Sequence, residues 1–272
     1  MHPDSILFVS LDSCRYDTFR QAVLPNMKAL APLHRAQAPS HFTYGSHAAM
    51  FVGFTPGVAA EAAAFLNPKF ARLFRLSYAG HPGIAPPGFT IAGDNIVDGF
   101  RQGGHLTLGT AAMGWFDPST PVSETLRHGF ERFWFAGREG VAAQAAWVEA
   151  QMADAGDRPV FAFMNIGETH VPYHYRGAPW SEDDNPCVPF QTEDRSAECR
   201  MRQTACAEFV DRHLSPLLDA FRDATVLICA DHGDCWGEDG LWEHGVSHEM
   251  TLTVPLILRY RGAPVGSGTD FQ

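Results

Sequence analysis

Four short apolar runs divide the chain, and each of them ends in polar residues. They lie at residues 5–11, 158–166, 226–230 and 254–260. Continuous apolar runs of this length are typical of strands that are buried on both faces, as in a parallel sheet. Apolar side chains also recur at helical spacing in residues 140–155 and 193–220. This alternation of strands and helices predicts an α/β fold, namely a three-layer α/β/α sandwich with a mostly parallel central sheet.

Candidate metal ligands follow two of these runs. The first run ends at Asp12, and the third ends at Asp231 and His232, before a Gly-rich loop that carries Asp234 and His244. In open α/β sheets, functional groups collect just beyond the carboxyl ends of the strands. Carboxylates and imidazoles at such a place suit a divalent cation. Each segment alone also fits a simpler interpretation, in which the aspartates cap helices and the histidines lie on a surface loop.

A candidate nucleophile precedes a stretch of small apolar residues. Residues 48–52 have the spacing of an apolar helix face, which places Thr43 at or just before the helix N-terminus. Free backbone N–H groups and the helix dipole favour a phosphate there. A threonine hydroxyl is a weak nucleophile, so this chemistry requires a metal that lowers its pKa. The alternative is that Thr43, Ser46 or Ser40 serves only as the N-cap.

The second apolar run leads into a polar turn that contains His170. This imidazole suits a second metal, a phosphate oxygen or a leaving group. A solvated histidine in a polar turn is the alternative. Two stretches, at residues 55–89 and 181–192, are predicted to lie over the active-site edge as lid-like loops.

Composition and charge narrow the classes of function. The chain has 272 residues, enough for one domain over residues 1–272, and its net charge is −11. This charge argues against nucleic acid or an anionic membrane as a partner. No apolar run reaches 18 residues and no basic leader precedes the first strand, so the sequence predicts a cytoplasmic protein. The six cysteines form no CxxC pair and are expected to be reduced. Nothing in the sequence indicates an oligomeric state.

Four segments, in the same chain order, resemble the motifs of the alkaline phosphatase superfamily, above all its sulfatase-like and phosphoethanolamine-transferase-like branches. These segments are residues 11–17, 43–53, 165–173 and 231–245. Three positions depart from the usual pattern. Ser13 stands where many sulfatases have a second acidic residue, Gly45 replaces the usual proline, and Asn165 replaces the first of two histidines.

The resemblance implies a set of site residues. The metal ligands on the nucleophile side are expected to be Asp12, Thr43, Asp231 and His232. A second metal site would use His170 and His244. Substrate contacts are implied for Ser46, His47 and Asn165. Because the ligands are mostly oxygen atoms with one imidazole, Zn²⁺ or Mn²⁺ is expected, with Mg²⁺ as a further candidate.

The same resemblance implies an activity. Thr43 occupies the nucleophile position, where sulfatases need a cysteine or serine for conversion to formylglycine. The implied function is therefore hydrolysis of a small-molecule phosphoric or phosphonic ester through a covalent phospho-threonine, with His170 as a second catalytic residue. A phosphotransferase or mutase, a sulfuric ester hydrolase and a catalytically silent binding protein stay as alternatives. The additional C-terminal subdomain of larger sulfatases is expected to be missing.

Overall fold

The structure is a computed structural model that describes residues 1–53 and 94–266, and between them only the backbone of Phe74–Ser77 and Gly88–Ile91. The predicted lid-like loop at residues 55–89 therefore lies outside the described residues, apart from these two strands. Within the described ranges, no helix has both the length and the apolar character that crossing a membrane requires.

A mostly parallel sheet forms the centre of the molecule. The strands are β1 (Ile6–Leu11), β2 (His34–Gln37), β3 (Phe74–Ser77), β4 (Gly88–Ile91), β5 (Leu106–Ala111), β6 (Arg132–Phe135), β7 (Val160–Ile166), β8 (Thr225–Ala230), β9 (Cys235–Trp236), β10 (Trp242–Glu243), β11 (Thr253–Tyr260) and β12 (Ala263–Pro264). The main sheet has the order β12–β11–β8–β1–β7–β5–β6, and β2 also pairs with β11. The strands from β8 to β6 run parallel, whereas β11 is antiparallel to β8. The predicted sheet type is confirmed.

Helices cover both faces of this sheet. They are α1 (Tyr16–Gln21), α2 (Pro25–Lys28), α3 (Thr43–Val52), α4 (Ile96–Gln102), α5 (Glu124–Arg127), α6 (Gly140–Met152), α7 (Ser196–Ala220) and α8 (Glu249–Leu252). The two long helices, α6 and α7, are those that the apolar spacing predicts. Helices α1, α2 and α6 all contact α7 on one side of the sheet, and α3 contacts α4 and α5 on the other.

An apolar core lies between the sheet and the helices on each of its two faces. Along β1, Leu7, Val9 and Leu11 belong to the larger core, which also contains residues of α6 and α7. Phe8 points to the opposite face and joins an aromatic core with Phe163 of β7, at a ring-centroid distance of 5.3 Å. Successive strand residues alternate between faces, so a strand with a core on each side is apolar throughout. This arrangement confirms the predicted three-layer α/β/α sandwich.

Three neighbouring strands deliver their ends to one edge of the sheet. In the parallel registers, Leu11 at the end of β1 lies opposite Ile166 of β7 and Ala230 of β8. The loops that begin at Asp12, after Ile166 and at Asp231 therefore start side by side. This common edge is where the sequence predicts the functional residues.

Candidate active site

Asp12, Asp231 and His232 form a buried group at the tips of β1 and β8, here called the acidic cluster. None of the three residues has exposed surface. His232 Nε2 lies 3.8 Å from Asp12 Oδ1 and 3.5 Å from Asp231 Oδ2. One potential ligand atom from each residue lies within 4.8 Å of the others, a spacing at which a single metal ion can be shared.

The His232 ring presents an unprotonated nitrogen to the acidic cluster. Its Nδ1 lies 3.0 Å from the carbonyl oxygen of Gly233, which can only accept a hydrogen bond, so Nδ1 carries the proton. Burial lowers the pKa of His232 to about 4, and the ring is therefore neutral at pH 7. Nε2 keeps its lone pair, as a metal ligand must.

Asp231 has one carboxylate oxygen without a hydrogen-bond partner. Its Oδ1 accepts hydrogen bonds from the backbone N–H groups of Ser13 and His232, at 3.1 and 2.9 Å, whereas the buried Oδ2 has no partner. Burial, and then the nearby Asp12 carboxylate, raises the pKa of Asp231 well above its usual range. Two buried carboxylates side by side need a proton or a cation between them. The donor set of the acidic cluster therefore fits a divalent cation.

Thr43 is the first residue of α3, where the sequence predicts it. Its buried Oγ1 lies 3.3 Å from Asp12 Oδ2 and 3.3 Å from His232 Nε2. The first turn of a helix leaves backbone N–H groups free to bind an anion. Gly45 suits this turn, because a Cβ atom there would lie 2.5 Å from Ser40 Oγ. The structure thus brings together all four residues predicted for the nucleophile side, while their chemical roles stay predictions.

Two of the predicted substrate contacts, Ser46 and Asn165, bond to protein groups. Ser46 Oγ donates to the carbonyl oxygen of Asp231 at 2.6 Å. Asn165 Nδ2 donates to Asp12 Oδ2 at 3.0 Å, and its Oδ1 accepts from the backbone N–H of Met113 at 3.2 Å. These bonds position Asp12 and Asp231, so the structure favours a supporting role. A contact with substrate stays a prediction for both residues.

His47, the third predicted substrate contact, is fully buried. Its Nδ1 donates to the carbonyl oxygen of Thr43 at 2.8 Å, and its Nε2 accepts from Ser10 Oγ at 3.0 Å. Burial lowers the pKa of His47, so the ring is neutral and both nitrogens are used. His47 connects the first turn of α3 to β1. Because both of its ring nitrogens bond to protein groups, neither is free for the predicted contact with substrate.

A second group, formed by His232, Asp234 and His244, adjoins the acidic cluster and shares His232 with it. His244 Nδ1 lies 2.8 Å from Asp234 Oδ1, and the His244 ring lies 4.5 Å from the His232 ring, between centroids. Asp234 is not among the residues predicted for the site. Its position two residues after His232, in the same loop, is the signal that could have identified it.

His170, the predicted partner of His244, lies beside it. The two ring centroids are 5.2 Å apart, and His170 Nδ1 bonds to the carbonyl oxygen of Val171 at 2.7 Å. Burial opposes a charge on His244, but the hydrogen bond to Asp234 and its negative charge raise the pKa of His244 to about 9. In the metal-free protein His244 is thus a cation at neutral pH, which suits an anionic phosphate oxygen. The second metal site stays a prediction.

Arg15, Asp17, Arg200 and Glu238 form a charged network beside the site, here called the arginine cluster. Arg15 is 2% exposed and donates to both Asp17 oxygens at 2.9 Å and to Glu238 Oε1 at 2.7 Å. Arg200 donates to Asp17 at 2.9 Å. The Arg15 guanidinium also lies 4.2 Å from the Trp236 ring centroid. The local pair of Arg15 and Asp17 therefore extends to Glu238 in the loop after β8.

The thiols near the site are not suited to metal binding. Cys14 and Cys235 are buried, and burial raises the pKa of both, to about 12 for Cys235. A thiol must lose its proton to act as a ligand, so packing explains these residues better. All six cysteines are free in the structure.

Comparison with known proteins places the fold but not the activity. No protein-family model and no curated protein matches the sequence. Among solved structures, the C-terminal periplasmic domain of EcEptC from Escherichia coli has a TM-score of 0.63 at 13% identity, covering 96% of this chain and 73% of that one. A second structure of that domain is a complex with Zn.

Two further structures support the same assignment. The phosphonate monoester hydrolase of Agrobacterium radiobacter matches with a TM-score of 0.61 at 16% identity, over 99% of this chain and 70% of that one. A protein in the alkaline phosphatase superfamily from Vibrio parahaemolyticus matches with a TM-score of 0.54 at 13% identity, over 96% of this chain and 62% of that one. The chain has the alkaline phosphatase-like fold, which confirms the resemblance of its motifs at the level of the fold.

The same comparison corrects the predicted location. A cytoplasmic protein was expected, but the Escherichia coli neighbour is a periplasmic domain, and this finding points away from the cytoplasm. The prediction was wrong because it rested on the residues at the start of the given sequence, which do not determine where the protein resides. The expected lack of a membrane partner gains no support from these neighbours either.

Proposed function

We propose that this chain is a metal-dependent enzyme that hydrolyses phosphoric or phosphonic esters through a covalent phosphoryl group on Thr43. The observation that carries the proposal is the position of Thr43 Oγ1, 3.3 Å from both Asp12 and His232 at the first turn of α3. The neighbour named as a phosphonate monoester hydrolase shares this fold and supports the class of substrate.

A divalent cation on the acidic cluster completes the proposed site. Its ligands would be Asp12, Thr43, Asp231 and His232. When bound, it supplies a Lewis acid that lowers the pKa of the Thr43 hydroxyl and stabilises negative charge on the phosphoryl oxygens. We propose zinc, since a neighbour with this fold is a Zn complex, with manganese as the second choice.

The residues of the chain then account for the movement of protons. Asp12, 3.3 Å from Thr43 Oγ1, is the nearest carboxylate that can accept the hydroxyl proton. The Thr43 oxygen forms a bond to phosphorus as the bond to the leaving alcohol breaks. His244 donates a proton to the leaving oxygen, and His170 beside it bonds to a phosphoryl oxygen. Water then attacks the phosphorus and gives one proton to His244. The bond between phosphorus and Thr43 Oγ1 breaks, Oγ1 takes back the proton held by Asp12, and phosphate or phosphonate leaves.

The test compares Thr43→Ala with the wild-type protein after both have been loaded with zinc. We expect Thr43→Ala to lose turnover of p-nitrophenyl phosphate esters by a factor on the order of 10³ or more, because no covalent intermediate can form. Metal content, measured by elemental analysis, should be retained, since two carboxylates and an imidazole stay in place. The intact mass of wild-type protein quenched during turnover should show one added phosphoryl group, absent from the variant.

Thr18→Ala is the matched control, because Thr18 is also a buried threonine early in a helix but lies in α1. It should keep turnover and metal. Wild-type-like turnover by Thr43→Ala contradicts the covalent route. A panel of monoester, diester, phosphonate and sulfate substrates defines the ester class, and added alcohol acceptors separate hydrolysis from transfer.

A further inference from the structure

A buried chain of hydrogen bonds ends at His244. Trp236 Nε1–H donates to the Tyr173 hydroxyl oxygen at 2.8 Å, and Tyr173 O–H donates to Asp234 Oδ2 at 2.7 Å. Asp234 Oδ1 accepts from His244 Nδ1 at 2.8 Å. Tyr173 and Asp234 have no exposed surface, and Trp236 is 3% exposed. Direct hydrogen bonds thus link four side chains from two loops.

The chemistry of the donors fixes the direction of this chain. An indole N–H can only donate, so the Tyr173 hydroxyl must accept from Trp236 and give its own hydrogen to Asp234. One oxygen of Asp234 is then occupied by Tyr173, and the other faces His244 Nδ1. Because Nδ1 carries the hydrogen of that bond, the His244 Nε2 atom lies on the far side of the ring from Asp234. Because Tyr173 fixes one oxygen of the Asp234 carboxylate, the other oxygen can hold the His244 ring in one orientation.

Tyr173 also belongs to the turn that carries His170. Its backbone N–H donates to the carbonyl oxygen of His170 at 2.7 Å, and its own carbonyl accepts from Trp180 Nε1 at 2.9 Å. The phenol therefore ties the loop after β7 to the loop after β8. These are the loops that carry His170 and His244, so the contact contributes to the relative placement of the two histidines.

We propose that Tyr173 is a positioning residue: through Asp234 it fixes the His244 ring in the orientation that directs Nε2 toward the bound ester, and Trp236 fixes the Tyr173 hydroxyl. This inference rests on the proposed function and adds the groups that align its proton donor. Asp234 is accordingly a support for His244, because its two oxygens connect the Tyr173 hydroxyl to the His244 ring. Loss of such a supporting partner typically lowers activity about 10- to 100-fold.

The test uses Tyr173→Phe, which removes the hydroxyl group and keeps the ring. In the zinc-loaded protein we expect kcat to fall about 10-fold while KM changes less than about twofold, because the orientation of His244 matters most in the transition state. Tyr175→Phe is the matched control. Tyr175 belongs to the same apolar cluster but stacks on Phe209 at 4.4 Å, outside the hydrogen-bond chain. It should keep wild-type kcat.

A double-mutant cycle separates positioning from general destabilisation. If Tyr173 acts through His244, its replacement should lower kcat by less than about twofold in a His244→Gln background. An undiminished loss in that background overturns the proposal, as does wild-type kcat for Tyr173→Phe in an enzyme that turns over esters. If zinc titration shows that Tyr173→Phe lacks an ion that the wild-type chain binds, Asp234 is a metal ligand and the proposal is wrong.

A spectroscopic measurement tests the chain of hydrogen bonds without requiring enzyme turnover. In ¹⁵N–¹H spectra of the imidazoles, the His244 Nδ1–H signal should shift in Tyr173→Phe and stay in place in Tyr175→Phe. An unchanged signal in Tyr173→Phe overturns the proposed chain. If instead the signal shifts but the wild-type protein has no ester turnover, the proposed function fails while the hydrogen-bond chain stands.

Discussion

The acidic cluster and the arginine cluster both contain residues that follow the ends of β1 and β8, with Arg200 of α7 added to the second, and they balance charge in different ways. In the arginine cluster, two guanidinium groups meet two carboxylates, so the formal charges cancel. In the acidic cluster, two carboxylates face a neutral imidazole, and within the described ranges neither forms an ion pair with lysine or arginine. The charges of the arginine cluster are balanced by protein groups alone, whereas the two carboxylates of the acidic cluster need a proton or a cation between them.

This contrast separates stability from function at one edge of the sheet. In the arginine cluster, the buried Arg15 holds two partly exposed carboxylates and links two loops. In the acidic cluster, Asp231 Oδ2 is buried without a donor, which lowers the stability of the metal-free protein and leaves this oxygen free for the proposed metal. Substitutions in the two clusters should therefore have opposite consequences for stability and for metal content.

The largest expected effect is that of Asp231→Asn. We expect turnover to fall by a factor on the order of 10⁴, because the Lewis acid is lost with its ligand. In chelator, however, the variant should unfold at the same temperature as the wild-type protein or a higher one, because one of two buried carboxylates is gone. Thermal unfolding with chelator and with zinc tests both points. If zinc raises the melting temperature of the variant as much as that of the wild-type protein, the assignment of this ligand is wrong.

Replacing the cation of the other cluster should have the reverse result. Arg15→Met removes the buried guanidinium that holds the Asp17 and Glu238 carboxylates, so we expect the free energy of unfolding to fall by about 2–3 kcal/mol. The folded fraction should keep its zinc. Urea titration measures the first quantity and elemental analysis the second. Arg158→Met is the control, because its ion pair with Glu131 is exposed and should contribute less than about 1 kcal/mol.

The smallest of the three effects concerns acid stability. Burial opposes the charge on Asp17, but hydrogen bonds and charges of Arg15 and Arg200 lower the pKa of Asp17 to about 2. A lowered pKa contributes stability that is present above the unfolded value of about 3.9 and is lost as the pH falls toward 2. We expect the wild-type protein to lose up to about 2 kcal/mol of unfolding free energy across that window through this group.

Asp17→Asn should flatten this pH dependence, and Asp157→Asn, at an exposed position, should not. Urea titrations at pH 4, 3 and 2.5 measure the difference. An equally steep loss in Asp17→Asn and the wild-type protein shows that the arginine cluster does not control acid stability.

The sequence predicts the parts of the fold that are buried on both faces. Strands β1 and β7 read as apolar runs because a core covers each side of the sheet there. Strands β8 and β11 also contribute buried apolar residues to the larger core. Strands β2 and β6 were not predicted, because each has only four residues and none of them is fully buried. Chain order and residue type also suffice to propose the acidic cluster, since parallel strand tips must meet at one edge.

The residues that position the proposed catalytic and ligand side chains could not be predicted in the same way. Asp234 is recognisable only when Tyr173, from another loop, is seen to donate to it. The inward orientation of His47 likewise depends on Ser10 in a neighbouring strand. A sequence motif shows which residues occur together along the chain. It does not show which side chains from other loops or strands form hydrogen bonds with them, because tertiary packing determines those partners.

The first strand of the chain lies in the middle of the sheet, and this position affects how the protein assembles. Ile6 pairs with both Phe161 and Thr225, so β1 gains its neighbours only after most of the chain is available. Pairings between such distant segments form slowly, because long loops must close before any contact stabilises them. Asp12 and Asp231 come together only at this late stage. A metal ion that needs both carboxylates as ligands would therefore bind only after β1 and β8 have paired.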